Sequence, residues 1–154
     1  QLALQDMQEV DYIFGEWKIQ EVIGHLHFQE NRLDNAIETY QKTIRLAETM
    51  DSIVGVNPFH ALNDEVLLKK AEAYENQGKW DKAIESLEEI YGTYGNDILA
   101  DDALYKMAQI YENHLFNLEL AKEKYRKILF EYKGSLYTVE ARKKFKELTD
   151  KGIQ

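Results

Sequence analysis

The stretch Ala71-Glu72-Ala73-Tyr74-Glu75-Asn76-Gln77-Gly78-Lys79-Trp80-Asp81-Lys82-Ala83-Ile84-Glu85-Ser86-Leu87 decides the fold. A small residue is followed three positions later by a ring. Then come a glycine turn, an apolar–acidic–x–Ala step and a bulky residue four after that alanine. The same order recurs on both sides. Downstream it reads Ala108, Tyr111, Leu118-Glu119-Leu120-Ala121 and Tyr125. Upstream it reads Gly24, His27, Leu33-Asp34-Asn35-Ala36 and Tyr40. Three copies of one supersecondary unit mark a repeat architecture.

The chemistry of these positions predicts helical hairpins. Gly24, Ala71 and Ala108 are small enough to let one helix approach its partner closely, and Ala36, Ala83 and Ala121 do the same from the second helix. Tyr40, Leu87 and Tyr125 then fill the space one turn further on. Trp80, Ala83, Ile84, Leu87, Ile90, Tyr91 and Tyr94 keep an i, i+3, i+4, i+7 rhythm, one broad apolar stripe. Asp34, Asp81 and Glu119 stand at helix starts, where a carboxylate meets the positive end of the helix dipole.

Composition agrees. Eight Gly and one Pro in 154 residues are too few for the turns of an all-β chain, and 44% hydrophobic with 31% charged residues is ordinary for a globular one. A net charge of −9 argues against nucleic acid, which demands a basic footprint, and against anionic lipid. The absence of Cys removes disulfides, thiolate chemistry and Cys-based zinc sites. No segment approaches the roughly 20 apolar residues of a membrane span. The start at Gln rather than Met suggests a processed or excised chain.

Across about residues 14 to 133 the three copies resemble the tetratricopeptide repeat family. The resemblance implies an all-α fold, a right-handed superhelix of antiparallel helical hairpins with a C-terminal capping helix. It implies one domain over 1–154, with hairpins at about 14–50, 62–94 and 98–133 and the cap at about 135–149. The family's usual unit is about 34 residues. Here Gly24 and Ala71 are 47 apart, the extra residues falling in Asp51 to His60. Such insertions map to loops or lengthened helices, and a loop of about a dozen residues is expected. Residues 2–12 read as a separate short helix left from a preceding repeat. Residues 97–105, 121–125 and 134–142 are similar to bacterial envelope-associated members, in which such a segment closes the array, often at the chain's C-terminus. The chain is then expected to be the C-terminal portion of a longer protein. That likeness implies a soluble protein in a periplasmic or envelope-associated setting. Ser135 is then the N-cap of the last helix, and Leu136, Val139, Phe145 and Leu148 cover the open end, as a solenoid requires.

No catalytic, cofactor-binding or metal-binding constellation emerges. His25 and His27 point about 200° apart on a helix, His60 lies in the loop and His114 at a helix end. Asp101-Asp102 with Glu112 reads as a solvated first turn rather than a cation site. Ser135 and Thr138 lack a His and an acid at motif spacing, and there is no phosphate-binding Gly-x-x-x-x-Gly-Lys loop. The chain is therefore expected to be no enzyme and to need no cofactor.

The resemblance places the groove on the first helix of each hairpin. Its candidate partner-binding residues are Glu21, His25 and Phe28 in the first copy, Leu68, Glu72 and Glu75 in the second, and Tyr105, Gln109 and Glu112 in the third. This face is mixed apolar and acidic, with only Lys69 and Lys106 basic among its neighbours. It lacks the Lys, Arg and Asn set that pairs with an acidic C-terminal peptide, so a basic or amphipathic protein or peptide is the expected partner. Two other readings remain: a structural module that completes a longer solenoid or mediates self-association, and a histidine phosphotransfer bundle resting on His25.

Overall fold

A computed structural model describes residues 3–55, 62–93 and 99–153. Positions 56–60 of the expected loop, with His60, the stripe's Tyr94 and the pair Asp97-Ile98 lie outside the described residues. The described residues form seven helices and no strand: α1 (Leu4–Gln29), α2 (Leu33–Val54), α3 (Leu62–Asn76), α4 (Trp80–Thr93), α5 (Ala100–Asn113), α6 (Leu118–Glu131) and α7 (Thr138–Asp150). Contacts divide the chain into two compact units, residues 1–79 and 80–154. In the first, α1 packs on α2 and α2 on α3. In the second, α4 packs on α5, α5 on α6 and α6 on α7.

The repeat pattern maps onto the core. Ala36, Tyr40, Ala71, Ala83, Leu87, Ala108, Ala121 and Tyr125 are all fully buried, and Gly24 is buried as well. Burying a tyrosine ring removes roughly 150–250 Å² from water, worth about 4–6 kcal/mol before entropy is charged against it. Gly24 shows why its position must be small. A Cβ built there would stand 2.5 Å from Cε1 and 2.8 Å from Cδ1 of Tyr40. The α2 ring therefore rests directly on the α1 backbone.

Tight turns hold neighbours together. Asn31, at φ 58°, ends α1, and the Arg32 N–H donates to the His27 carbonyl at 2.8 Å. At the end of α3, Gly78 takes φ 69° and the Lys79 N–H donates to the Tyr74 carbonyl at 2.9 Å. Asp34 at the start of α2 accepts a bond from Gln77 Nε2 at 2.9 Å and faces Lys79 Nζ at 3.7 Å. In the second unit, the Asn117 side chain caps α6 by accepting from the Leu120 N–H at 3.1 Å.

Three expectations change. Residues 4–29 form one continuous helix, because neither Pro nor a Gly pair interrupts them, so no separate helix ends near residue 12. The excess between the first two copies lengthens α2 to 22 residues, up to its left-handed cap at Gly55, and is not a loop beginning at Asp51. The last helix starts at Thr138 with Tyr137 as N-cap. The Ser135 hydroxyl accepts from the Tyr137 N–H at 3.0 Å, two residues on, and so makes a turn instead of a cap. The row α7 buries is Ala141 and Leu148, with Phe145 half-buried beside it. Leu136 and Val139 fall off that row and are 95% and 78% exposed.

Two glycines of α1 give opposite predictions. Gly24→Ala should destabilise by about 1–3 kcal/mol by forcing the Tyr40 ring aside. Gly15→Ala should stabilise by about 0.5–1 kcal/mol, since a Cβ there meets nothing within 4 Å. Thermal melts of the two variants at low protein concentration should move in opposite directions. A gain from Gly24→Ala would mean that Tyr40 does not pack as described.

Candidate functional site

The first six candidate residues fall in the first unit and the last three in the second. In the first unit the focus is Tyr40. Its ring is enclosed, and the His25 ring on α1 meets it edge-on at 5.7 Å. Its hydroxyl is buried without a hydrogen-bond partner. Burial raises the Tyr40 pKa, and the negative charges of Glu72 and Glu21 raise it further. The hydroxyl thus lies within electrostatic reach of one carboxylate from α1 and one from α3. Glu72 also accepts a bond from Lys69 Nζ at 2.9 Å. Phe28, Leu68 and Glu75 are half-buried, so the face offers apolar surface beside its acids.

The second unit treats its candidates differently. Tyr105 stacks on Tyr137, centroids 4.2 Å apart and planes 12° from parallel, and meets Tyr125 edge-on at 6.2 Å. The Tyr137 hydroxyl donates to Asp102 Oδ1 at 2.5 Å, and that bond first, with burial next, raises its pKa to about 12. Glu112 accepts from the Tyr125 hydroxyl at 2.8 Å and from Lys144 Nζ at 2.8 Å. Burial alone would raise the Glu112 pKa, but these two bonds outweigh it and hold the carboxyl below its ordinary value. Tyr105 and Glu112 are therefore engaged by the segment from Tyr137 through α7, while Gln109 is exposed.

Sequence reasoning had no means of finding Tyr137 and Lys144, because each lies 32 residues from the candidate it contacts. The other flagged groups have structural partners. His114 stacks on Trp80 at 3.7 Å, and the Thr138 hydroxyl donates to the Ser135 carbonyl at 2.8 Å. No three His, Asp or Glu side chains among the described residues gather as metal ligands. A cleft of about 440 Å³ opens between α6 and α7, lined by Glu119, Leu120, Lys122, Glu123, Arg126 and Phe145, and contains none of the candidates. Among the described residues, no helix is long and apolar enough to cross a membrane.

Family models described as tetratricopeptide repeat match residues 18–50, 65–97 and 102–135, together well over half of the chain. No curated protein matches it.

The Glu112 network sets an acid limit. A carboxyl whose folded pKa is depressed adds stability above its unfolded pKa, about 4.3, and loses it as pH falls through the folded value. Glu112→Gln should therefore cost about 1–3 kcal/mol at pH 7. Its melting temperature should converge on that of the parent chain as pH drops below about 4. A constant gap from pH 7 to pH 3 would show that the ionised carboxylate is not what holds α7.

Proposed function

Since the chain belongs to the tetratricopeptide repeat family, we propose that it is a non-catalytic protein-interaction module that takes a basic or amphipathic peptide or helix. Repeats of this kind generally mediate protein–protein contacts, and the acids set the sign of the partner. The observation that supports this reading is that Glu21 and Glu72, half-buried on α1 and α3, stand on helices that also offer half-buried apolar surface from Phe28 and Leu68. An amphipathic helix offers both halves of the match, an apolar row and cationic flanks. Glu112 and Tyr105 are held by the segment from Tyr137 through α7, and the reading therefore centres on the face of the first unit that carries Glu21, His25, Phe28, Leu68, Glu72 and Glu75. An envelope-side setting belongs to the same proposal and rests on the sequence resemblance of residues 97–105, 121–125 and 134–142 alone.

Two designed helical peptides with the same leucine row test this, one with lysines and one with glutamates on the polar face. By fluorescence polarisation the lysine peptide should bind at least about tenfold more tightly, about 1.4 kcal/mol, and lose that advantage at high salt. Glu72→Lys with Glu75→Lys should abolish the preference while moving stability by no more than about 1 kcal/mol. Equal binding of the two peptides by the parent chain would refute the reading.

A further inference from the structure

Helix α1 is apolar on two sides. Ile13, Trp17 and Gly24 are buried in the first unit. On the opposite side Leu4, Met7, Tyr12, Ile19, Val22 and Leu26 are each between 50% and 75% exposed. At 3.6 residues per turn these six fall within about 140° of arc along about 33 Å of helix. Gln8, Asp11 and Lys18 are the exposed polar residues between them in this arc, and an exposed apolar row of this length marks an interaction surface. Gly15 sits in the middle of it. Glycine is the least favourable residue in a helix interior apart from proline, and a Cβ at Gly15 would touch nothing in its own chain. Nothing within the molecule therefore calls for a glycine there.

We propose that two copies of this chain pair through antiparallel α1 helices that cross at Gly15. With the two-fold axis at Gly15, the row is complementary to itself. Leu4 lies opposite Leu26 of the second copy, Met7 opposite Val22, and Tyr12 opposite Ile19. The crossing point is the one place where the helices must come closest, and it is where the side chain is missing. The charged flank matches too. Asp11 and Lys18 stand on the same edge of the row, both exposed, and the antiparallel register sets Asp11 of each copy against Lys18 of the other. A two-fold axis makes every such contact twice.

The area suffices. The six residues together with Gln8, Asp11, Gly15 and Lys18 between them present a surface on the scale of the ~800 Å² that each partner brings to a standard stable interface. A partner with purely basic flanks would leave Lys18 opposed by like charge, and an anionic lipid surface would meet Asp11. A second copy satisfies both signs. This surface lies apart from Glu72 and Glu75, so it stands or falls independently of the peptide reading.

Analytical ultracentrifugation across a concentration series tests the proposal, with melting curves to verify folding. The parent chain should sediment as a monomer–dimer equilibrium, and Ile19→Asp should weaken association at least about a hundredfold. Asp11→Lys and Lys18→Asp should each weaken it about tenfold, whereas the double variant should return to within about threefold of the parent. That rescue is specific to the reciprocal antiparallel pairs. A parent chain that stays monomeric at every concentration overturns the proposal, whether or not it binds zwitterionic vesicles. A dimer indifferent to Ile19→Asp, or single reversals that the double variant does not rescue, overturns it as well.

Discussion

Everything in the first unit depends on one contact, the Tyr40 ring lying against the backbone of α1 at Gly24. Because the ring takes the space a side chain would occupy, the contact brings α2 directly against the α1 backbone. Protein interiors are packed densely enough that such a constraint spreads. The spacing brings His25 edge-on to Tyr40 and carries Glu21 toward the Tyr40 hydroxyl. It also turns the opposite side of α1 outward. In the second unit Ala108 and Tyr125 are both fully buried at the corresponding positions.

The two units show what the same repeat can do with its acids. Glu112 has a cation and a phenol from its own chain, and its negative charge holds α7 in place. Glu72 is paired with Lys69 on its own helix, and it and Glu21 add their negative potential at a tyrosine hydroxyl that accepts no bond from the chain. Burying a donor with no acceptor is ordinarily unfavourable, so this arrangement persists only because the Gly24 contact fixes the ring. The difference between the units lies in the last segment. Tyr137 and Lys144 reach back to the third copy, whereas in the second the Lys69–Glu72 pair is local, three residues apart on α3.

How much of this was legible follows from the distance over which each interaction acts. The small and bulky repeat positions identified the hairpins, because packing of that kind is encoded three and four residues apart. Within α7, periodicity could not say which of two apolar rows would be buried. Ala141 and Leu148 form the covered row, and Leu136 and Val139 look more hydrophobic yet face water. Ser135 carries a helix-start signal that the chain spends on a turn, three residues ahead of the helix. For the candidate site, residue types on each first helix could be read directly. Which acids keep their charge available depended on partners about 32 residues away, and no local pattern records those.

The two faces of α1 also bear on each other. A dimer through α1 would place two copies of the Glu21–Tyr40–Glu72 site on one body. A partner with two basic segments would then bind the second at an effective concentration set by its linker, without any new contact. Salt separates the two events. Each chain carries −9, so salt that weakens capture of a basic segment also screens the repulsion between two like-charged copies. The apolar row is indifferent to that screening, and the Asp11–Lys18 pairs, close and partly enclosed once formed, lose less than a peptide held at an open face. Self-association through α1 and recognition beside Tyr40 therefore respond to ionic strength in opposite directions, although both are built on a single helix.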